Sequence, residues 1–261
     1  KVKVVYAMRY GQPALPDVLR QLKADGCERI LFLPAYPQYS GTTTASIFDA
    51  VFTHYTQERN VPELRFIKHY HDHDAYIRAL RKSVLAHWDM AGRPDKLVMS
   101  FHGVPKGTLT LGDPYHCECH KSARLLAREL ELTPDQYLVT FQSRFGKAEW
   151  LQPYTAPTLQ KLAKEGVGRV DVICPGFTSD CLETLEEIAM EARHDFMSAG
   201  GKDFNYIGCL NEDDAWIKAM AEITELHLIG WPTIVPPSLR EEQERQALIS
   251  REEAGRLGAD Q

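Results

Sequence analysis

An apolar run, Leu97-Val98-Met99-Ser100-Phe101, ends in His102 and is followed at once by Gly103-Val104-Pro105. The run reads as a buried strand. The Gly and Pro stop it and stiffen the loop, which would hold the imidazole at a strand end. Histidine suits proton transfer near neutral pH. A histidine at such a place can equally be structural. A second group is acidic. After the apolar run at 170–174 comes the turn Pro175-Gly176-Phe177-Thr178-Ser179, then Asp180, Glu183 and Glu187. Their i, i+3, i+7 spacing puts three carboxylates on one face of an expected helix. Such a row can accept protons or steer a divalent cation. It is also what an ordinary helix start looks like, with Asp180 as N-cap and Glu183 at N3 of a capping box.

Two loops add aromatic and basic groups. Pro34-Ala35-Tyr36-Pro37-Gln38-Tyr39-Ser40 would present Tyr36 and Tyr39 on a rigid edge. That suits a flat apolar ligand and suits loop packing as well. Phe141-Gln142-Ser143-Arg144-Phe145-Gly146, with Trp150 beyond it, follows another strand. Arg144 can pair with a ligand carboxylate and Trp150 can stack on a ring. Two clusters imitate metal sites: the alternating His69, His71 and His73, and the run His116-Cys117-Glu118-Cys119-His120. Neither has the paired C-x-x-C spacing of a structural zinc site, and both read as surface or helix-start residues.

The elements that must position these groups alternate between strand and helix. β-rich runs are expected at 2–7, 29–33, 64–69, 96–101, 137–141, 169–174 and 204–209. Helical spacing falls at 16–23, 44–55, 75–87, 122–130, 158–164, 182–196 and 214–226. Apolar runs flanked by helices indicate parallel sheets in a doubly wound α/β architecture, divided over two sheets. In such sheets ligands bind beyond the carboxyl ends of the strands, where His102, Gln142 and Asp180 fall. The loop at 90–95 is the expected boundary between a first domain, 1–92, and a second, 93–231. Residues 232–261, broken by Pro232, Pro236 and Pro237 and then strongly charged, read as a solvated or flexible tail.

The bulk numbers agree. The chain has 261 residues, 44% hydrophobic and 25% charged, with a formal net charge of −6. Nothing in that balance favours nucleic acid as a partner. No apolar run is long enough to span a membrane. Six scattered cysteines without a secretory signal read as reduced thiols in a cytoplasmic protein. The chain opens at Lys1 directly on an apolar run, as expected of a chain cut inside a domain.

Residues 97–115, LVMSFHGVPKGTLTLGDPY, closely resemble the ferrochelatase signature. Met8-Arg9-Tyr10-Gly11 and the segments at 33–46, 140–155 and 174–188 resemble the family in the same order. Five blocks in order are far more specific than any single motif. The resemblance implies two Rossmann-like domains of the class II chelatase type, with parallel sheets flanked by helices and a porphyrin cleft between them. It implies insertion of ferrous iron into protoporphyrin IX to give protohaem. It implies that His102 and Glu183 are catalytic and metal-facing, with Asp180 and Glu187 as proton or cation relay. Arg9, Tyr10, Tyr36, Tyr39, Gln142, Arg144 and Trp150 would contact porphyrin.

Ferrous iron is then a substrate, and no tightly bound cofactor is expected. The mitochondrial type of the family carries an iron–sulfur cluster on cysteines of a C-terminal extension; no cysteine follows Cys209, so no iron–sulfur cluster of that kind is expected. Expected partners are the two substrates, with transient contact to a membrane surface or another enzyme of haem synthesis. The location would be cytoplasmic, peripheral at the inner membrane. Two rival readings are a cobalt or nickel chelatase of the same fold and a non-catalytic porphyrin or haem carrier. The signature around His102, and its joint presence with Glu183, argue against both. One departure is Cys181, where some family members carry histidine.

Overall fold

A computed structural model describes residues 2–234 and 236–259. Among the described residues there are six strands: β1 (Arg29–Phe32), β2 (Glu63–Phe66), β3 (Lys96–His102), β4 (Tyr137–Gln142), β5 (Arg169–Ile173) and β6 (Asp203–Ile207). They form two parallel sheets, β1-β2 and β4-β3-β5-β6. The α/β class, with parallel sheets flanked by helices, is as the sequence indicates. The helices are α1 (Leu15–Ala24), α2 (Thr44–Tyr55), α3 (Asp74–Ala91), α4 (Gly107–Thr110), α5 (Tyr115–Glu129), α6 (Thr155–Lys164), α7 (Leu182–Leu185), α8 (Arg193–Ser198), α9 (Asp214–His227) and α10 (Pro237–Arg256). A π-helical turn, Glu187–Ala192, joins α7 to α8.

Residues 7–227 make one compact unit; residues 2–6 and 228–259 belong to a second. In the second, the expected strand at 2–7 is absent: among the described residues no strand pairs with it. An apolar run becomes a strand only where a neighbour takes up its backbone hydrogen bonds. The tail forms helix α10, in which no residue is buried.

The larger sheet shows why the apolar runs read as strands. Along β3, Leu97, Met99 and Phe101 face one core with α3, α5 and α9, while Val98 faces the other with α6, the π-turn and α8. Side chains alternate across a pleated strand, so a strand covered on both faces reads as a near-continuous apolar run. A smaller core of Leu15, Leu19, Leu22, Ile30, Val51 and Tyr55 covers the two-stranded sheet.

One charge lies inside this packing. Asp171 of β5 is fully buried. Its carboxylate accepts from Trp88 Nε1 at 2.9 Å, Arg169 Nε at 3.1 Å and Asn205 Nδ2 at 3.2 Å. Arg169 also donates to the carbonyls of Ala91 and Gly92, so the network ties the end of α3 to β5. Removing one partner of a buried charged pair leaves the rest uncompensated, at about 3 to 5 kcal/mol. Asp171→Ala should therefore lower the melting temperature by roughly 10 °C. An unchanged thermal melt would show that the network contributes nothing.

Candidate active site

Because the strands are parallel, their carboxyl ends share one edge of the sheet. There His102 closes β3 opposite Gln142, which closes β4. The chain after β4 folds back along the chain after β3: Leu151 N–H donates to the Val104 carbonyl at 3.0 Å, and Lys106 N–H to Glu149 at 2.8 Å. This brings the Trp150 ring onto Gly103, where a Cβ would lie 2.9 Å from the Gln142 carbonyl and 3.1 Å from Trp150 Cε3. Glycine is therefore required by close approach. The His102 imidazole is collared by Trp150, Phe145 and Phe177, with ring centroids 6.3, 6.4 and 6.4 Å away.

The His102 tautomer follows from one contact. Nδ1 lies 2.6 Å from the Gly103 carbonyl oxygen. A carbonyl only accepts, so Nδ1 carries the proton and Nε2 keeps its lone pair in the neutral ring. The strand end itself is held from below. Buried Tyr115 donates its hydroxyl to the His102 carbonyl at 2.9 Å. Asp113 accepts from Tyr115 N–H at 3.0 Å, Ser40 Oγ at 2.9 Å and Gly41 N–H at 2.8 Å. The Gly-Asp-x-Tyr part of the signature thus clamps the His102 strand, α5 and the aromatic loop together. With Asp113 accepting at its start, α5 begins at Tyr115 rather than at 122.

The acidic segment differs from the expected helix face. Cys181, not Asp180, is the N-cap of α7, and Thr184 completes the capping box by accepting Cys181 N–H at 3.0 Å. Asp180 lies before the helix and turns away. Its carboxylate accepts from Tyr206 at 2.6 Å, Asn211 at 2.7 Å, Thr184 at 3.1 Å and Cys209 N–H at 3.3 Å. Burial alone would raise this carboxyl; the donations from Tyr206, Asn211, Cys209 and Thr184 outweigh it and hold it below the ordinary value. Glu187 starts the π-turn and accepts from Ser143 N–H at 2.7 Å and from Ser143 Oγ. Ser143 adopts a left-handed φ of 62° to make both contacts.

Glu183 lies near His102 at the strand ends, where Gln142 holds its carbonyl. The Cys181 thiol donates to it, and with Glu183's own backbone N–H and the nearby His102 imidazole it keeps the carboxyl below its ordinary value. Gln142 is 4% exposed and lies under this surface. Its Nε2 donates to the Glu183 carbonyl at 2.7 Å and to Glu187 at 3.4 Å, while its Oε1 accepts from Ser100 at 2.8 Å.

The remaining expected residues divide. Tyr36 belongs to the same neighbourhood: burial raises its hydroxyl, and it feels Tyr10, Arg9, Cys181 and Glu183. Arg9 lies 4.5 Å over the Tyr10 ring and donates to the Ser46 carbonyl at 3.0 Å. Arg144 is exposed, 4.9 Å over Tyr154. Tyr39 is held apart by other partners: Lys68 sits 4.8 Å over its ring, and its N–H donates to Glu118 at 2.7 Å. Cys181, Asp113 and Tyr115 were not singled out from sequence as parts of the site. Asp113 and Tyr115 lay inside the signature, and their role is legible only once their long-range partners are seen.

The ferrochelatase family model matches residues 1–228. A ferrochelatase from Janthinobacterium sp. (strain Marseille) is 95% identical over 261 residues, all of this chain and 71% of that protein. One from Herminiimonas arsenicoxydans is 80% identical over the same spans. Among solved structures, SirB from Bacillus subtilis with Fe3+ superposes with a TM-score of 0.58 at 13% identity, covering 83% of this chain and 79% of that one. CbiX, described as the terminal enzyme for biosynthesis of siroheme in denitrifying bacteria, gives 0.52 at 11% identity, over 77% and 76%. At such identities these two speak for the fold alone. With the family model matching through residue 228 and two relatives at 95% and 80% identity over the whole of this chain, this chain belongs to the ferrochelatase family.

Proposed function

We propose that this chain inserts ferrous iron into protoporphyrin IX to form protohaem in haem synthesis. The observation that carries the reading is geometric: His102 ends β3 with its ring proton on Nδ1, and Gln142, opposite it at the end of β4, holds the Glu183 backbone at the same strand ends. The porphyrin brings two pyrrole N–H groups and iron enters as a dication, so each insertion releases two protons with no change of oxidation state. His102 Nε2 accepts one pyrrole proton, the Glu183 carboxylate accepts the other, and both are then passed to solvent. The freed nitrogen lone pairs then take iron as it sheds water.

The walls suit a flat apolar ring. Trp150, Phe145 and Tyr36 offer planar faces, and Leu182 and Leu185 beside Glu183 are 70% and 50% exposed. An aromatic cleft that fits a bent macrocycle better than a planar one applies binding energy to the distortion that opens a face to the metal. Arg9 and Arg144 would pair with the porphyrin carboxylates. Asp180 and Glu187, as they stand, hold the frame; passing protons along them requires their hydrogen bonds to exchange. No helix among the described residues is long and apolar enough to cross a membrane. The apolar product fits release in the cytoplasm at a membrane surface or to a haem-handling partner.

Anaerobic assay with ferrous iron and protoporphyrin IX, followed by visible absorption, tests the reading. It should be run on this chain and on a form extended to the length of the 95%-identical relative. Haem should form, and His102→Ala should cut turnover by about 100-fold or more, the usual worth of a general base; Glu183→Gln should do likewise. Wild-type rates in His102→Ala would remove the proposed base. Asp180 yields a pH prediction. A depressed carboxyl contributes stability that is present above the ordinary value of 3.8 and is lost as pH falls through the folded-state value. Asp180→Asn should cost about 1 to 2 kcal/mol at neutral pH, and that gap should close below pH 3.8. A gap independent of pH would show that Asp180 does not act through its charge.

A further inference from the structure

The loop after β2 carries His69-Tyr70-His71-Asp72-His73. Tyr70 is buried, donates its hydroxyl to the Pro34 carbonyl at 3.1 Å and packs on Tyr76 and Trp216. Alternation along extended backbone then sends His69 and His71 to the opposite side. Their rings lie 5.0 Å apart. The third histidine leaves the group: His73 caps α3, accepting Ala75 N–H at 3.2 Å. Facing the remaining two is Glu118, in the first turn of α5, buried and 49 residues away in sequence from His69.

We propose that His69, His71 and Glu118 bind a divalent transition-metal ion, using ligands distinct from His102 and Glu183. His69 Nδ1 is 2.7 Å from Glu118 Oε1, and His71 Nδ1 is 3.3 Å from Glu118 Oε2. One donor atom from each of the three residues lies within 4.8 Å of the others. Two bonds of about 2.0–2.1 Å at a tetrahedral angle place donor atoms about 3.3 Å apart, so a small opening of the His69–Glu118 contact admits an ion.

An independent observation points the same way. His71 is 5% exposed, and its Nδ1 faces the carboxylate yet makes no hydrogen bond. A buried polar atom without a hydrogen bond is rare and calls for a partner. The rest of the surroundings fixes these donors. Ser122 donates to the His71 carbonyl at 2.7 Å, and Tyr39 N–H occupies Oε2, leaving Oε1 for an ion. Two imidazoles and one carboxylate suit zinc or a similar borderline ion and not calcium or magnesium. The His69 side chain is 41% exposed, which leaves a side open for water as the remaining ligand.

Cobalt(II) is the probe. It should be titrated without porphyrin into the full 261-residue His102→Ala chain, so that the sheet-edge histidine contributes nothing. Visible bands of a low-coordinate cobalt ion should saturate at one equivalent. Adding His69→Ala, a half-exposed position whose change should leave the thermal melt intact, should weaken binding at least about 100-fold. Glu118→Gln, which keeps the shape, should do the same, and His73→Ala should not. Zinc should raise the melting temperature of the His102→Ala chain and fail to do so once His69 is removed. The absence of a bound equivalent, or its survival in the His69→Ala chain, overturns the proposal.

Discussion

The side-chain amide of Gln142 joins five parts of the site. It ends β4, accepts from Ser100 of β3 and from the Cys174 thiol just after β5, and donates to the Glu183 carbonyl and to Glu187. Three neighbouring strand ends, the first turn of α7 and the start of the π-turn therefore meet on one planar group. A buried amide with unmet donors or acceptors would be costly, so satisfying all of them fixes the relative placement of these elements. The distance between the histidine-bearing strand and the glutamate-bearing helix is set beneath the surface that substrate would touch.

From that constraint the chemistry follows. The signature's Asp113 and Tyr115 anchor the His102 strand from the α5 side, and the Gly103 carbonyl fixes the imidazole proton on Nδ1. Cys181 does for Glu183 what a nearby histidine would do in other ways: it lends a donor that keeps the carboxylate ionised. The π-turn widens the helix where Glu187 reaches back to Ser143, and such turns tend to occur at functional sites. Rigid support below, with exposed Phe145, Leu182 and Leu185 above, suits a site that must hold a large flat ligand against its preferred shape.

Much of this was legible in the sequence, because strands covered on both faces read as near-continuous apolar runs. The six strands of the two sheets and the place of His102 at a strand end follow from that. What escaped depended on partners distant in sequence. Residues 2–7 are as apolar as a strand, and only a pairing neighbour could have made them one. Asp180 has the residue type and position of an N-cap, but Tyr206 and Asn211 draw its carboxylate elsewhere and Cys181 takes the role. Gln142, expected to contact porphyrin, is buried here, and its amide is taken up by Ser100, Cys174, Glu183 and Glu187, partners that local sequence does not show. The His69–His71–Glu118 group drew on two clusters that spacing rules treat separately.

The proposed role of Gln142 is to hold Glu183 and Glu187 in place at the strand ends, not to touch porphyrin. Gln142→Glu keeps the side chain's size and removes the Nε2 donor, so porphyrin affinity and turnover measured on that one variant test it directly. The account predicts a lower kcat for iron insertion with the porphyrin Kd unchanged. A weakened porphyrin Kd with kcat intact would contradict it and return Gln142 to the wall of the cleft.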